Sequence, residues 1–384
     1  MKNFTFYNPT KILFGKGCIA NIAGEIPQGS RVLITYGGGS IKANGVFDAV
    51  RAALTGQTVF EFSGIEPNPT YETLMNAVSL VKEQKIDFLL AVGGGSVIDG
   101  TKFIAAAVCF DGDPWDILAK GTAITRALPL ASVLTLPATG SEMNCGSVIT
   151  RKSIKAKLHF MSPLVSPRFS ALDPTTTYTL PESQISNGVI DAFVHVMEQY
   201  LTYPVDAKVQ DRFAEGLLLT LIEEGPRALQ DPTNYETRAN IMWSATLALN
   251  GLIGAGVPQD WASHMIGHEI TAIYGLDHAQ SLAMLLPVMM EVQRQQKSAK
   301  LLQYADRVWG IESGSTEERI DAAIEKTRGF FATMKVKSRM SEYGIGSEDV
   351  EKIIKQLEQH GMTALGERGD VTLDVSRNVL KLIL

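Results

Sequence analysis

The first half of the chain alternates short apolar runs with segments of helical periodicity, and this alternation restricts the folds that it can adopt. The runs at residues 31–36, 88–92 and 130–136 are rich in valine, leucine and isoleucine. Such runs are typical of strands buried on both faces of a parallel sheet. Apolar residues at helical spacing follow two of the strand-like segments, at residues 71–83 and 101–108. The alternation predicts a doubly wound α/β domain.

Beyond residue 181 the pattern changes, because strand-like runs become rare and helical periodicity dominates. The predicted helices of this half are residues 213–224, 236–249, 260–273, 298–308 and 317–334. We therefore predict two domains, an N-terminal α/β domain over residues 1–181 and an all-α domain over residues 182–384. The basic and polar run at residues 294–300 is interpreted as a solvated helix face.

Composition narrows the class of protein. A chain of 384 residues with a net charge of −6 has room for two domains, and its charge argues against nucleic acid or an anionic membrane as a partner. Three cysteines without a C-x-x-C pair make a disulfide framework improbable, so we expect a reducing cytoplasm. The N-terminal segment lacks the apolar core of a signal peptide, and no apolar run reaches the length of a membrane span.

Two glycine-rich turns follow predicted strands. They are Gly37, Gly38, Gly39 and Ser40 in the first turn, and Gly93, Gly94, Gly95 and Ser96 in the second. Where a strand passes into a helix, free backbone N–H groups and the helix dipole favour an anion, and glycine lets a phosphate approach the backbone. Neither turn matches G-x-G-x-x-G, so a purely structural turn is the alternative. Two turns in the same role favour phosphate binding.

The first turn also bears on the choice of dinucleotide. An NAD enzyme is expected to place an acidic residue for the ribose 2′-hydroxyl where this chain has Gly37. The hydroxyl of Ser40 and the nearby Lys42 are better suited to a 2′-phosphate. The turn therefore favours NADP over NAD.

Three of the six histidines cluster between residues 264 and 278. His264 and His268 have i, i+4 spacing on a predicted helix, as do Asp191 and His195, so each pair shares one helix face. Two such helices could converge on one divalent cation, and imidazoles with one carboxylate suit zinc or iron(II) better than magnesium. Spacing alone leaves ordinary buried histidines as an equal alternative, and does not decide whether His264, His268 or His278 are ligands.

At these residues the chain resembles the iron-containing (group III) alcohol dehydrogenases along essentially its whole length. The matching segments are residues 11–17, 93–99, 139–142, 172–174 and 191–195, together with His264, His268 and His278. Residues 65–69 and 254–261 resemble the branch of NADPH-dependent bacterial aldehyde reductases and butanol dehydrogenases. The resemblance implies a dehydroquinate synthase-like fold, in which a doubly wound dinucleotide-binding α/β domain precedes an all-α metal-binding domain.

The resemblance also implies roles for individual residues. The implied ligands of one divalent metal, Fe²⁺ or Zn²⁺, are Asp191, His195, His264 and His278, and the implied proton relay beside the nicotinamide is His268. The implied contacts of NADP(H) are Gly37, Gly38, Gly39, Ser40, Asn68, Gly94, Gly95, Ser96, Thr139, Ser141 and Lys157.

The function implied by the resemblance is metal-dependent, NADP(H)-linked reduction of short- to medium-chain aldehydes by a cytoplasmic enzyme, with a homodimer as the default assembly. Three alternatives are weighed. A dehydroquinate synthase-like lyase is disfavoured because Met265, Ile266 and Leu276, near the histidines, are apolar rather than basic. A non-redox metalloprotein leaves the glycine turns unexplained, and an NAD-linked polyol dehydrogenase is disfavoured by the missing acid at Gly37.

Overall fold

The computed structural model describes residues 1–384 and divides into two compact units. The sheet unit comprises Tyr7–Leu180 and Thr233–Thr246, and the helical unit comprises Met1–Phe6, Pro181–Pro232 and Leu247–Leu384. The chain passes from the first unit to the second at Pro181, next to the expected boundary. Residues 1–6 and 233–246 depart from the expected contiguous ranges 1–181 and 182–384, because each segment packs within the other unit.

The sheet unit contains eight strands. They are β1 (Lys11–Phe14), β2 (Arg31–Thr35), β3 (Thr58–Phe62), β4 (Phe88–Gly94), β5 (Leu130–Leu136), β6 (Gly146–Arg151), β7 (Ala156–Met161) and β8 (Phe169–Leu172). Six of them form one parallel sheet in the order β1-β8-β5-β4-β2-β3, which confirms the predicted doubly wound architecture. Strands β6 and β7 pair as a separate antiparallel hairpin that the periodicity did not predict.

Helices cover both faces of this sheet. They are α1 (Ser40–Ala43), α2 (Val46–Ala53), α3 (Tyr71–Glu83), α4 (Gly95–Ala107) and α5 (Asp116–Ala119). Because side chains alternate along a strand, Leu33 of β2 enters one apolar core with α3 and α4, whereas Val32 and Ile34 enter the other with α2. Burial on both faces explains why the central strands read as continuous apolar runs.

The two glycine turns lie where the order of the sheet reverses. The strand that follows β2 in the chain, β3, lies on one side of it, and β4 lies on the other side. Gly37 follows β2 and Gly95 follows β4, so both turns stand at the carboxyl ends of adjacent strands. This switch point is where open α/β sheets bind their ligands.

After residue 181 the chain is almost entirely helical. The helices are α6 (Glu182–Tyr200), α7 (Lys208–Gln230), α8 (Tyr235–Ala248), α9 (Ala262–Tyr274), α10 (His278–Val292), α11 (Ser298–Trp309), α12 (Thr316–Thr333), α13 (Val350–Gln359) and α14 (Leu373–Leu382). Most of α8 packs in the sheet unit. One short antiparallel pair, β9 (Ala364–Leu365) with β10 (Val371–Thr372), departs from the expected all-α character. No helix has both the length and the apolar character that crossing a bilayer requires.

Helix α6 is the central helix of the helical unit. Its residues from Ile185 to Tyr200 are all buried, and α7 and α10 pack against it. Gly225 of α7 permits this approach, because a Cβ atom there would lie 2.9 Å from a methyl group of Val189. Because other helices cover α6, polar side chains on it are shielded from water.

The interpretation of residues 294–300 as a solvated face is wrong for two of its three basic residues. Lys297 and Lys300 are buried, with relative exposures of 8% and 6%. Carboxylates distant in sequence compensate their charges, since Lys297 pairs with Asp260 and Lys300 Nζ lies 2.5 Å from Asp211 Oδ1. Buried charges require such partners, and composition alone does not reveal them.

Candidate metal centre and dinucleotide site

Three side chains of the helical unit bring possible ligand atoms together. The ligand atoms of Asp191, His195 and His264 all lie within 4.8 Å of one another, and all three residues are buried. Asp191 and His195 are one turn apart on α6, and His264 is the third residue of α9. Two imidazoles and one carboxylate form a donor set that suits a divalent transition-metal cation.

The other two histidines implied by the resemblance lie beside this group. The ring of His278 is 5.1 Å from that of His264, measured between centroids. The ring of His268, one turn beyond His264 on α9, is 4.9 Å from that of His278 and 6.4 Å from that of His264. All five residues are therefore neighbours within the helical unit, and their individual roles remain predictions.

The state of His195 fits a metal ligand. Burial lowers its pKa to about 4, with a further contribution from His264 and against the opposing charge of Asp191, so its ring is neutral. Its buried Nδ1 has no hydrogen-bond partner and lies 3.9 Å from Asp191 Oδ2, beyond hydrogen-bond distance. Because an unsatisfied buried polar atom is costly, a cation held by this group would compensate the desolvation of Nδ1.

The start of α10 is fixed by hydrogen bonds of the residue before it. Asp277 donates its N–H to Gln280 Oε1 at 3.1 Å, and its carboxylate accepts from Asn187 Nδ2 at 2.8 Å. Asn187 belongs to α6, so the two helices are joined at this point. The bonds hold His278 as the first residue of α10, next to the histidines of α9.

A tryptophan that the sequence analysis did not single out packs on the histidine pair. The ring of Trp261 lies edge-on to those of His264 and His195, at centroid distances of 5.1 Å and 6.1 Å. Its backbone has φ 65°, a left-handed conformation that is rare for a large residue and is often found at functional sites. The indole N–H donates to Gln259 Oε1 at 2.9 Å, which fixes the side chain.

Glu198 is a second residue that the sequence analysis missed. It lies one turn after His195 on α6 and contacts His264 of α9. Burial raises the pKa of Glu198 to about 8 and Asp260 adds to this effect, whereas the N–H of Ser263 and the charge of Lys297 oppose it. A cation held by His264 would shift the equilibrium further toward the carboxylate.

In the sheet unit, the second glycine turn leads directly into α4. A Cβ atom at Gly95 would lie 2.3 Å from Thr139 Oγ1, and one at Gly94 would lie 2.9 Å from Leu136 Cβ. Glycine is thus required for the turn to pack against the end of β5. No side chain caps α4, so the first N–H groups of this thirteen-residue helix have no intrahelical acceptor and suit a phosphate.

Three further residues implied as cofactor contacts are linked to this turn. Asn68 donates its N–H to Ser96 Oγ at 3.3 Å and accepts from Lys157 Nζ at 2.9 Å through its side chain. Ser141, in contrast, is buried and donates its hydroxyl to Asp99 Oδ1 at 2.5 Å. Its side chain is engaged within the protein, and its contact with a cofactor remains a prediction.

The first glycine turn leaves open space. A Cβ atom at Gly38 or Gly39 would meet no atom within 4 Å, and Gly39 has φ 98°. Ser40 begins the short helix α1 directly after it. The turn therefore has room for a ligand group, in contrast to the tightly packed second turn.

An acidic residue that the sequence analysis overlooked lies near the first turn. Glu61 of β3 accepts hydrogen bonds from Tyr36 Oη at 3.0 Å and from Lys42 Nζ at 2.8 Å. The turn itself carries no acidic residue, as expected. Lys42, however, has a carboxylate neighbour in Glu61. Sequence could have indicated Glu61, because dinucleotide-binding units place an acid about 20 residues beyond the glycine turn.

Sequence models assign the chain to the class that its fold and its candidate metal-binding residues suggest. Residues 9–174 match the model of iron-containing alcohol dehydrogenases, and residues 185–365 match that of the C-terminal part of the Fe-containing alcohol dehydrogenase family. The chain belongs to the iron-containing alcohol dehydrogenase family, which confirms the resemblance seen in the sequence.

Individual relatives are similar over nearly the full length. The chain is 62% identical to the NADPH-dependent aldehyde reductase YqhD of Escherichia coli, over 99% of each chain. A crystal structure of E. coli YqhD matches with a TM-score of 0.99 at 61% identity, over 100% of this chain and 99% of that one. A probable NADH-dependent butanol dehydrogenase of Bacillus subtilis is 45% identical over 94% of this chain and 95% of its own. These relatives differ in the dinucleotide that their names give.

Proposed function

We propose that the protein is a metal-dependent, NADP(H)-linked alcohol dehydrogenase that acts mainly as a reductase of short- to medium-chain aldehydes. The observation that carries this proposal is the buried group formed by Asp191, His195 and His264 in a member of the iron-containing alcohol dehydrogenase family. The 62% identity to an NADPH-dependent aldehyde reductase supports the substrate class and the dinucleotide. Family membership disfavours a lyase and a non-redox metalloprotein.

The two units would hold different cofactors. We assign one divalent cation, Fe²⁺ or Zn²⁺, to Asp191, His195, His264 and His278 in the helical unit. We assign the pyrophosphate of NADP(H) to residues 94–96 and its 2′-phosphate to residues 37–40 of the sheet unit. When bound, the cation supplies a Lewis acid that polarises the carbonyl group, and NADPH supplies the hydride.

The protein's own side chains have complementary tasks. His268 would donate a proton to the former carbonyl oxygen of the substrate, which becomes the hydroxyl group of the alcohol. Imidazole is the side chain best able to exchange a proton near neutral pH. The ring of Trp261 shields His195 and His264 and makes that side of the group apolar, which limits water. The neutral His195 is ready to act as a ligand without first losing a proton.

The experiment that tests the proposal follows the absorbance of NADPH in the presence of butyraldehyde and metal-loaded protein. NADH and metal-stripped protein are run in parallel. We expect metal-dependent oxidation with a strong preference for NADPH. Equal or faster oxidation of NADH would contradict the preference for NADPH and favour an NADH-linked aldehyde reductase, for which Glu61 and the name of the B. subtilis relative are the supporting observations. No turnover with either dinucleotide despite bound metal would contradict the proposal.

We also propose that the enzyme is a cytoplasmic homodimer. Its three cysteines are free thiols, as a reducing compartment favours. A two-fold dimer is the commonest closed assembly, and Phe4, Phe6 and Tyr7 are large exposed apolar residues. Light scattering of the purified protein would give the mass of the assembly, and a monomeric mass would contradict the proposed dimer.

A further inference from the structure

The carboxylate of Glu198 forms hydrogen bonds with both the backbone of Ser263 and the ring of His264, in the first turn of α9. Its Oε1 accepts the N–H of Ser263 at 2.6 Å, and its Oε2 forms a hydrogen bond with Nδ1 of His264. Glu198 and His264 are both buried, with relative exposures of 3% and 4%. We propose that Glu198 is a positioning residue that orients His264 and selects its tautomer for metal binding. This inference rests on the proposed metal site.

The hydrogen-bond directions determine the tautomer. The N–H of Ser263 can only donate, so Oε1 of Glu198 must accept. In the carboxylate form Oε2 is an acceptor as well, and the proton of the His264 ring therefore resides on Nδ1. The lone pair is then on Nε2, the ring nitrogen that can bind a cation. Carboxylates orient metal-bound histidines in this way in many proteins.

Charge balance supports the same assignment. With neutral histidines, Asp191 and Glu198 together carry two negative charges in a buried region, and a divalent cation balances them. The carboxylate of Glu198, a residue of α6, also lies at the N-terminus of α9, where the helix dipole favours an anion. Its backbone is held in place, because its C=O accepts the N–H of Asp260 at 2.9 Å.

Lys297 belongs to a buried cluster of charged residues next to Glu198. It pairs with Asp260 and lies 3.3 Å from Glu367 Oε2, so one buried ammonium group faces two carboxylates. The N–H of Tyr203 donates to the other oxygen of Glu367 at 3.1 Å. The cluster therefore provides rigid polar surroundings behind Glu198 and leaves its carboxylate directed at His264.

The substitution Glu198→Gln tests the inference without changing the size of the side chain. A glutamine has one oxygen, and Ser263 requires it as acceptor. Its NH₂ group then faces Nδ1 of His264 and donates to it, which moves the ring proton to Nε2. The matched control is Glu215→Gln on α7, a buried carboxylate that accepts from Tyr200 Oη at 3.0 Å and does not contact a proposed ligand.

The readout is the affinity of the metal-free protein for Zn²⁺, measured by competition with a chelator, together with the visible spectrum after loading with Co²⁺. We expect Glu198→Gln to bind Zn²⁺ about 10- to 100-fold more weakly with an altered Co²⁺ spectrum, and Glu215→Gln to behave like the wild type. Wild-type affinity and an unchanged spectrum in Glu198→Gln would overturn the inference. A wild-type protein that binds no metal would instead overturn the proposed function.

If Glu198→Gln does not fold, as judged by circular dichroism, the tautomer of His264 can be measured directly in the wild-type protein. Zinc-loaded protein labelled with ¹⁵N-histidine would show which ring nitrogen of His264 carries hydrogen, with the signal assigned from its proximity to the backbone amide of Ser263. A proton on Nδ1 supports the inference. A proton on Nε2, with the metal on Nδ1, would overturn it.

Discussion

Lys42 donates a hydrogen bond to Glu61 Oε2 across 2.8 Å, and the phenol of Tyr36 donates to the same oxygen. The hydrogen bond to Glu61 raises the pKa of Lys42, which is therefore cationic at any working pH. A 2′-phosphate near the first glycine turn would compete with Glu61 for this ammonium group. A ribose 2′-hydroxyl would instead donate a hydrogen bond to the carboxylate of Glu61. We expect this pair to decide the balance between NADPH and NADH.

Replacing Lys42 should therefore separate the two dinucleotides. In Lys42→Ala, KM for NADPH should rise about three- to tenfold, because an exposed ion pair with a phosphate contributes modestly. KM for NADH should change little. Steady-state kinetics with butyraldehyde and each dinucleotide provide the measurement.

Lys11 offers the control for this experiment. It also forms an exposed ion pair, with Glu25 at 2.5 Å, but it lies on the edge strand β1. Lys11→Ala should leave both KM values unchanged. An equal loss for NADPH and NADH in Lys42→Ala would place the 2′-phosphate elsewhere.

Removal of a proposed ligand should abolish metal retention. Asp191→Ala and His264→Ala each take one donor from the buried group, and a cation with an incomplete donor set dissociates during dialysis. Metal content per chain, measured by elemental analysis, should fall from about one to near zero. His159→Ala, which changes an exposed histidine of the sheet unit, should keep its metal. A full metal content in His264→Ala would remove that residue from the ligand set.

His268→Ala should have a different effect. If the imidazole donates the proton and does not bind the metal, the variant keeps its metal while kcat falls about 100-fold or more, as is usual for loss of an acid catalyst. Metal analysis and kinetics on the same preparation distinguish the two roles. Unchanged turnover would eliminate the proton-transfer role, and loss of the metal would make His268 a ligand.

The periodicity of apolar residues along the chain was sufficient to predict much of the fold. The run at residues 88–92 is apolar because β4 is covered on both faces, and this is readable without tertiary information. Helix α10 (His278–Val292) was not predicted, because it is buried almost throughout and contains Pro287, so no amphipathic period marks it. The buried charge of Lys297 was misread because its partner Asp260 is 37 residues away in sequence.

In the candidate metal site, too, contacts between residues close in sequence could be predicted and contacts between distant residues could not. The i, i+4 pair of Asp191 and His195 indicated one helix face, and the structure places both on α6. Glu198 is separated from His264 by 66 residues, so only tertiary contact reveals the hydrogen bond between them. The available signal was an acidic residue one turn beyond His195, in the mostly apolar second half of α6.

A buried lysine in the sheet unit gives a prediction for pH. Burial lowers the pKa of Lys102 from 10.5 to about 8, against the favourable charge of Asp99, while its ammonium group donates to Asn144 Oδ1 and the Gly146 carbonyl. Between pH 8 and 10.5 the unfolded chain binds more protons at this group than the folded protein. Its contribution to the free energy of unfolding therefore rises with pH across that window.

The measurement compares urea unfolding of the wild type with that of Lys102→Met at pH 7.5 and pH 9.5. From the lower to the higher pH, the stability of the wild type relative to the variant should increase by about 1–3 kcal/mol. Lys82→Met, at an exposed position of α3, should show no such change. Parallel pH curves for wild type and Lys102→Met would mean that Lys102 titrates normally.

The requirement for a bound cation is tested by titrating metal-free protein with Zn²⁺, and anaerobically with Fe²⁺, while NADPH oxidation by butyraldehyde is recorded. We expect the rate to rise with added metal and to stop rising at about one cation per chain, since one buried group would supply the ligands. Asp191→Ala should gain no activity at the same metal concentrations. Full NADPH oxidation by the metal-free wild type, or equal activation of Asp191→Ala, would show that activity does not depend on a cation held by Asp191.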